Sequence, residues 1–198
     1  VVYVAPDGND AGSGSIDSPL ATLAAAQQLL APGDTAYFRG GTYHITEDQV
    51  MGVEEKIYAT VFNLDKSGRE GARIVYAGMP GERPEGLRVS VFYIHANWLH
   101  LKNFDIVGTQ VTITGHTQSE AISIRRGNSH NVIENVAIHD GMAIGVYITK
   151  GSDNLVLNCD AYRNYDSVSE GGRGGNVDGF GCHVRRQDTG NVFRGCRA

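Results

Sequence analysis

The sequence predicts an all-β fold, a parallel β-helix (a solenoid) with an N-terminal capping α-helix. Three observations predict it: an internal strand-and-turn repeat, a high glycine content and a single convincing helical segment. Glycine occupies 26 of the 198 positions, nearly twice the usual level of about 7%. No Gly-X-Y period accounts for these residues, so they indicate many tight turns between short strands.

The helical segment follows an apolar entry strand at residues 1–5. Ser18 is a candidate N-cap, Pro19 suits the first helical position, and an Ala/Leu/Gln-rich stretch runs on to Leu30. The open end of a solenoid exposes apolar surface and unpaired strand edges. We therefore expect this helix to cap the stack of coils.

The repeat gives the register of the predicted coils. Four segments of the sequence align with one another, and each has Asn or Gly at the same position, which we call the marker. The markers are Asn103, Asn135, Asn158 and Gly195, and successive markers lie 32, 23 and 37 residues apart. The shortest step fits one bare coil, and the longer steps contain predicted loops at 109–120 and 166–178. Asn tolerates left-handed backbone geometry, and stacked amides can hydrogen-bond along the axis. We expect a ladder of these residues at one bend.

A second strand series, at residues 121–124, 145–148 and 179–182, repeats in the same register. Cys159 and Cys196 occupy equivalent positions of adjacent coils, so we expect them to stack inward as free thiols. Three cysteines are too few for a disulfide scaffold, and all three are expected to be buried. The alternative fold is a β-sandwich with similar turn spacing, but the in-register Asn and Cys residues favour the β-helix.

Charge and hydropathy exclude two classes of partner. The net charge of −5 argues against nucleic acid, and no stretch approaches the roughly 18 apolar residues of a membrane helix. The sequence opens without a basic-hydrophobic leader and stops directly after the first strand of a coil. We expect one β-helix domain over residues 1–198, apparently truncated at its C-terminal end, and a monomer.

Three segments in the second half carry a family resemblance. Residues 154–166 read Asn-Leu-Val-Leu-Asn-Cys-Asp-Ala-Tyr-Arg-Asn-Tyr-Asp, residues 175–182 read Gly-Asn-Val-Asp-Gly-Phe-Gly-Cys, and residues 190–198 read Gly-Asn-Val-Phe-Arg-Gly-Cys-Arg-Ala. Together they closely resemble polysaccharide lyase family 9, right-handed parallel β-helix enzymes that act on pectin. Residues 139–145, His-Asp-Gly-Met-Ala-Ile-Gly, look more like members that act on the rhamnogalacturonan backbone.

The resemblance implies a secreted lyase (extracellular, periplasmic or at the cell surface) that cleaves galacturonan or rhamnogalacturonan by calcium-assisted β-elimination. By position, Asp178 corresponds to a family calcium ligand. The family's other calcium carboxylates lie one coil later and its catalytic lysine further on, and this chain contains neither. At His183 many family members have Lys. We therefore expect the chain to carry only the N-terminal part of the site, and to lack activity alone.

The chemistry of β-elimination explains why a single Asp does not make a calcium site that could support catalysis. A lyase of this type removes the proton at C5 of a uronate and expels the oxygen at C4. Removing the C5 proton adds negative charge next to the carboxylate that the uronate already carries. A cation held by several carboxylates offsets that charge. Calcium takes six to eight oxygen ligands, so Asp178 is at most the first of them. The alternative is a turn-forming Asp before Gly179.

Basic residues near the ends of the second strand series are candidates for holding an anionic polymer. The alternative is that they are solvated surface charges. The substrate-binding candidates are His183, Arg185, Arg186 and Lys150, and Arg125 and Arg126 lie at the equivalent place one coil before Lys150.

Two other functions stay open. A β-helix glycoside hydrolase would need a pair of carboxylates, for which Asp160 and Asp178 are the candidates. A non-catalytic carbohydrate-binding or adhesin β-helix would need none. The histidines His116, His130 and His139 show no metal-ligand spacing, and His139 with Asp140 is expected to form a turn pair.

Overall fold

The chain winds into stacked coils built from short strands. A computed structural model describes residues 1–44, 52–54, 58–60, 62–85, 92–108, 119–166 and 177–198. The strands in these ranges are β1 Val2–Val4, β2 Thr35–Phe38, β3 Gly41–Thr42, β4 Gly52–Glu54, β5 Tyr58–Thr60, β6 Phe62–Leu64, β7 Ile74–Gly78, β8 Pro84–Glu85, β9 Phe92–Ile94, β10 Leu99–Val107, β11 Ser119–Ile124, β12 Val132–His139, β13 Ala143–Thr149, β14 Leu155–Leu157, β15 Asp160–Tyr162, β16 Phe180–His183 and β17 Val192–Arg194.

Two parallel sheets form the walls of the coils. The larger sheet has the order β1-β2-β7-β10-β12-β14-β17, with β15 also paired to β12, and the smaller has the order β16-β13-β11-β9-β6. Two small pairs, β3 with β8 and β4 with β5, stand apart from them. Neighbours in each large sheet come from successive turns of the chain, which is the topology of a parallel β-helix. The predicted fold class is confirmed.

The predicted register is confirmed in both strand series. In the larger sheet Leu101 pairs with Ile133, Ile133 with Val156, and Val156 with Phe193. In the smaller sheet Val146 pairs with both Ile122 and Phe180. The expected loop at 109–120 is wrong at its end, because Ser119 and Glu120 belong to β11. The rest of that loop, and residues 167–176 of the other, lie outside the described residues.

The N-terminal helix is shorter than the sequence predicts. Helix α1 spans Leu23–Leu29, and its N-cap is Thr22, whose hydroxyl accepts from the Ala25 amide at 3.1 Å. Ser18 as N-cap is wrong, because Leu20 is still extended and forms an isolated parallel bridge with Val4. The predicted N-terminal capping helix is present, since its buried face packs on β1 and β6.

The C-terminal end of α1 has its own polar cap. The Lys66 ammonium donates to the Gln28 and Leu30 carbonyls at 2.8 and 3.2 Å, groups that a helix end leaves unpaired. A cation at this end also interacts favourably with the helix dipole. A charge from the first coil therefore ties the helix to the solenoid.

The interior between the sheets is apolar and closely packed. Phe104 lies between Phe38 and Phe92, with ring centroids 5.3 and 5.6 Å away. Stacked aliphatic side chains, such as Leu101 above Ile133, have no solvent exposure. Each such side chain contributes about 1.5–3 kcal/mol on burial, so the core depends on every coil keeping its register.

The predicted asparagine ladder is present on the outer surface of the larger sheet. All four marker residues have a positive φ between 51 and 65°, and the Asn135 side-chain amide donates to Asn103 Oδ1 at 2.7 Å. At Gly195 a Cβ atom would collide with the Asn158 side chain, which explains why glycine continues the ladder there.

A second, buried ladder went unpredicted. Asn131 Oδ1 accepts from the Leu99 amide at 2.9 Å, and Asn154 Oδ1 accepts from the Asn131 amide at 3.0 Å. Asn191 Oδ1 accepts from the Asn154 amide at 3.1 Å, which extends the ladder by one coil. The sequence held the signal, because each of these asparagines stands four residues before a marker of the outer ladder.

All three cysteines follow the predicted register, but they differ in burial. Cys159 and Cys196 donate to Ile133 and Val156 carbonyls, equivalent groups one coil apart, at 3.7 and 3.5 Å between sulfur and oxygen. All three cysteines are free thiols, as predicted, but Cys182 is exposed. The expectation of burial is wrong for Cys182, because β16 is the edge strand of its sheet and covers Cys182 on one side only. Cys196 is half-buried, so full burial is confirmed for Cys159 alone.

Candidate functional site

The outer face of the smaller sheet is the candidate site. On β9, β11 and β13 the side chains of Ile94, Ile124 and Ile148 are fully buried in the core, so the residues between the core positions point outward. One outward row runs along the stack, in register across four coils: Tyr93, Ser123, Tyr147 and Gly181. A second row follows two residues later along each strand: His95, Arg125, Thr149 and His183.

An ion pair is buried on this face. The Glu120 side chain is 3% exposed and that of Arg125 is 13% exposed, with 2.5 Å between Arg125 Nη2 and Glu120 Oε1. Arg125 Nε donates to Glu120 Oε2 at 3.2 Å and to Ser123 Oγ at 2.9 Å. The Ser123 hydroxyl also donates to Glu120. Two hydrogen bonds to one carboxylate fix the plane of the guanidinium.

Tyr147 covers the next coil. Its ring lies 5.9 Å from the Arg125 guanidinium carbon on one side. On the other side it reaches over Gly181, where a Cβ atom would be 2.6 Å from ring Cδ2. The absence of a side chain at Gly181 therefore lets the tyrosine ring lie across β16.

Asp178 stands at the entrance to β16. Its side chain is exposed, and its carbonyl accepts from the Gly145 amide at 3.0 Å, which places it beside Ile144. Ile144 in turn pairs with Glu120. Within the described residues no three His, Cys, Asp or Glu side chains come together as a metal site. One exposed carboxylate does not meet the six to eight oxygens that calcium takes, so these residues alone do not fit that ion.

The predicted basic residues lie at or just after the carboxyl ends of β13 and β16. His183 is exposed at the end of β16 and pairs with Thr149 of β13, which Lys150 follows. Arg185 Nε and Nη2 donate to Asp188 at 3.0 Å each. These hydrogen bonds raise the pKa of Arg185 and lower the pKa of Asp188. Arg186 is exposed, and a substrate-binding role for these residues stays a prediction.

Of the two candidate carboxylates for a hydrolase, Asp160 and Asp178, the first is already engaged in an ion pair. Asp160 lies on β15 of the larger sheet and binds Arg197, with 2.7 Å between Nε and Oδ1. Asp178 leads into the smaller sheet. The hydrogen bond from Arg197 lowers the pKa of Asp160, which opposes a role as a general acid.

The histidines without metal-ligand spacing have structural contacts where they are described. His139 contacts Asp140 at 2.6 Å between Nδ1 and Oδ2, and Asp140 has a φ of 57°. The predicted turn pair is therefore confirmed. His130 stacks on Trp98 with centroids 4.2 Å apart, and His116 lies outside the described residues. The described helix, seven residues long, is far too short to cross a membrane.

A family model describes this architecture. The model of the Pel9A-like right-handed β-helix region matches residues 2–198. The chain belongs to the Pel9A-like family. The match covers nearly all of the coils and gives the handedness of the solenoid, as the sequence resemblance implied.

Relatives of this Pel9A-like chain are named as lyases. Pectate lyase L of Dickeya dadantii (strain 3937) is 34% identical over 209 residues, which is 100% of this chain and 44% of that protein. A solved structure named rhamnogalacturonan lyase matches with a TM-score of 0.91 and 47% identity, covering 100% of this chain and 51% of the other. Pectate lyase Pel9A matches with a TM-score of 0.74 and 31% identity, covering 100% and 47%. The chain therefore spans about half the length of these relatives.

Sequence reasoning missed the acidic and aromatic parts of the site. The sequence analysis places Glu120 at the end of a predicted loop. It places Tyr147 in a predicted strand and gives it no functional role. The strand series that was recognised already placed Tyr147 beside Gly181. An aromatic residue in register with glycine on an outward position was the available signal.

Proposed function

We propose that this chain forms the N-terminal part of the substrate-binding region of a polysaccharide lyase that cleaves an acidic pectin-type polymer by β-elimination. The observation that carries the proposal is the outer face, where polar and aromatic side chains stand in register over four coils. Tyr93 and Ser123 of this face are buried. The contacts to a linear polymer would therefore come from the later coils, where Tyr147, Thr149 and His183 are at least partly exposed and neighbouring strands are about 4.8 Å apart. The names of the relatives support a lyase.

The rhamnogalacturonan backbone is the proposed polymer, in preference to galacturonan. The higher identity and TM-score of the structure named rhamnogalacturonan lyase support this choice. The block at residues 139–145 points the same way. Polygalacturonate is the second candidate, since other relatives are named pectate lyases.

Calcium is the proposed cofactor, with Asp178 as one carboxylate ligand. The exposed side chain of Asp178 at the start of β16 supports this role. The remaining ligands, and the base that removes the proton, would come from outside the described residues. Lys150, His183, Arg185 and Arg186 would attract and orient the anionic polymer.

The proposal extends to the setting of the protein. A polymer of this kind is met outside the cell, so we propose a secreted monomeric enzyme and a single β-helix domain that includes residues 1–198. The named relatives favour an enzyme over a non-catalytic carbohydrate-binding stalk.

The test is a lyase assay on the full-length protein. Rhamnogalacturonan and polygalacturonate are incubated with calcium or with chelator, and the ultraviolet absorbance of the unsaturated product is followed. We expect calcium-dependent product from the parent, loss of most activity in Asp178→Ala, and none from residues 1–198 alone. Asp160→Ala, on the other sheet, is the control and should stay active. New reducing ends without the ultraviolet absorbance of an unsaturated product would indicate a hydrolase. If no product forms at all, the result would favour a non-catalytic carbohydrate-binding stalk.

A further inference from the structure

Arg163 is an exposed arginine at the end of the smaller sheet where Asp178 stands. It lies in the connection that leads from β15 of the larger sheet to the amino end of β16. The predicted substrate-binding residues lie instead at or after the carboxyl ends of β13 and β16: Lys150, His183, Arg185 and Arg186. A polymer that extends from these residues to Asp178 therefore crosses the sheet toward Arg163.

The backbone places Arg163 and Asp178 beside the same stretch of the preceding coil. The Gly141 amide donates to Asn164 Oδ1 at 3.0 Å, which holds the residue next to Arg163 against that coil. The Gly145 amide donates to the Asp178 carbonyl at 3.0 Å. Gly141 and Gly145 are separated by a piece of chain that spans at most about 14 Å when extended. The two side chains are thus close enough to contact one short oligosaccharide.

The Arg163 side chain belongs to a closed ring of four side chains. Its Nε donates to Asp140 Oδ1 at 2.6 Å, and its Nη2 donates to Asp140 Oδ2. Asp140 Oδ2 also contacts His139 Nδ1 at 2.6 Å. The His139 ring stacks on Tyr162 with centroids 4.7 Å apart, and the Arg163 guanidinium carbon lies 5.0 Å from the centre of the Tyr162 ring. The bidentate pair with Asp140 fixes the plane of the guanidinium.

Asp140 is an ionised partner in this ring. The hydrogen bonds from Arg163, and then from His139, lower the pKa of Asp140. The hydrogen bond to Asp140 in turn raises the pKa of Arg163. The guanidinium is therefore positioned before any ligand arrives, which reduces the cost of ordering it on binding.

One edge of the guanidinium remains available to a ligand. A guanidinium has five N–H donors in a fixed fork, and Asp140 takes one from Nε and one from Nη2. Among the contacts of the described residues, Nη1 of Arg163 donates no hydrogen bond, and the side chain is 66% exposed. The edge formed by Nη1 and Nη2 presents two donors that match the two oxygens of a carboxylate.

We propose that Arg163 binds a substrate carboxylate at the amino end of the smaller sheet, and that Asp140 is the positioning residue for its guanidinium. The inference rests on the proposed function and deepens it, because it names a uronate subsite near Asp178. Since Asp140 offsets the charge of Arg163, the subsite recognises the carboxylate through directed hydrogen bonds more than through net charge. Lysine lacks the fork of donors and does not replace arginine in this role.

The test measures binding by calorimetry in the full-length protein carrying Asp178→Ala, so that the ligand is not cleaved. The probes are a rhamnogalacturonan oligosaccharide and the same oligosaccharide with its carboxyl groups reduced to alcohols, measured as a competitor of the first so that weak affinities can be compared. Arg163→Lys should raise the Kd of the acidic probe about three- to fivefold, the effect of one partly exposed charged contact. It should leave the Kd of the reduced probe unchanged.

Asp140→Asn tests the positioning role through salt. The variant keeps the arginine but removes the charge that offsets it. Its affinity for the acidic probe should therefore fall more steeply with rising salt than the affinity of the parent. A salt dependence equal to that of the parent would show that Asp140 does not tune this cation.

Arg197→Lys is the matched control. Arg197 binds Asp160 through the same two nitrogen atoms, with 2.7 Å between Nε and Oδ1, but Asp160 lies on the larger sheet. The control should leave both Kd values unchanged. A thermal melt checks the fold of each variant, and Arg163→Gln takes the place of Arg163→Lys if the lysine variant melts early.

The outcomes separate this subsite from the proposed lyase. Equal changes for the two probes, or an equal loss in Arg197→Lys, overturn the role of Arg163 and leave the lyase assay of the parent untouched. A parent that cleaves no polymer but binds the acidic probe through Arg163 contradicts the lyase and keeps the subsite. If the acidic probe does not bind, the subsite is overturned, and the lyase assay decides the proposed function by itself.

Discussion

The backbone amide of Asn131 donates to the side-chain oxygen of Asn154, one coil further on, at 3.0 Å. Both side chains are almost completely buried. Asn131 also donates from Nδ2 to the Ala96 carbonyl at 3.0 Å. A buried amide thus joins three consecutive coils by satisfying backbone groups at the bend, where the sheets cannot satisfy them.

The buried ladder should matter more for stability than the outer one. Asn131→Leu leaves the Leu99 amide and the Ala96 carbonyl unpaired, at about 1–3 kcal/mol each. We expect it to lower the free energy of unfolding by about 3–5 kcal/mol, measured by denaturant titration. Asn135→Leu should cost about 1–2 kcal/mol, mainly from the left-handed backbone.

Asn135→Gly is the control for the outer ladder. Glycine adopts the positive φ of 52° at this position without strain, and Gly195 already fills the equivalent place. The variant should be more stable than Asn135→Leu. Equal losses for Asn131→Leu and Asn135→Leu would contradict the ranking of the two ladders.

Two glycines of the smaller sheet should respond differently to alanine. At Gly181 a new Cβ meets the Tyr147 ring, which can move, so polymer KM should rise several-fold while the melting temperature changes little. At Gly145 the new Cβ meets the Gly179 carbonyl inside the coil, which cannot move easily. Gly145→Ala should lower the melting temperature by several degrees, as expected for about 1–3 kcal/mol of overpacking.

The cysteines predict a graded reaction with a thiol reagent. At pH 8 the exposed Cys182 should react first, and Cys159 should react only after unfolding. Burial raises the pKa of Cys159 to about 11. If Cys159 reacted before Cys182, the buried position of Cys159 in the core would be contradicted.

The same shift predicts how stability depends on pH. The ordinary thiol pKa is 9.0, so between about pH 9 and 11 the unfolded chain loses the Cys159 proton while the folded chain keeps it. The free energy of unfolding therefore falls as the pH rises through this window. Cys159→Ala should show a shallower fall, in denaturant titrations at pH 8 and pH 10.

Lys150 should contribute more to polymer binding than Arg185. Lys150 is exposed at the end of β13, whereas the Arg185 guanidinium is engaged by two hydrogen bonds to Asp188. In the full-length protein, Lys150→Ala should raise KM about two- to fivefold at low salt. Arg185→Ala should raise it less, and the difference should shrink in high salt. A larger effect for Arg185→Ala would reverse the assignment.

The sequence predicted the coils better than the site. Repeats at Asn103, Asn135 and Asn158 reveal register, because each coil must bury the same face and turn with the same backbone conformation. Register also predicted the alignment of Tyr147 with Gly181. It did not predict that Glu120 bends back to Arg125, since a contact between side chains depends on rotamers and burial, which no periodicity encodes.

The unequal steps of the repeat have an evolutionary consequence. Asn135 and Asn158 are 23 residues apart and Asn158 and Gly195 are 37 apart, yet the strands on either side of the longer step keep their pairing. The additional residues of the longer step therefore leave the register of these strands unchanged. Connections between strands can lengthen, shorten or be exchanged between relatives while the scaffold persists. Substrate range in this architecture is free to diversify by insertion and deletion as well as by point substitution.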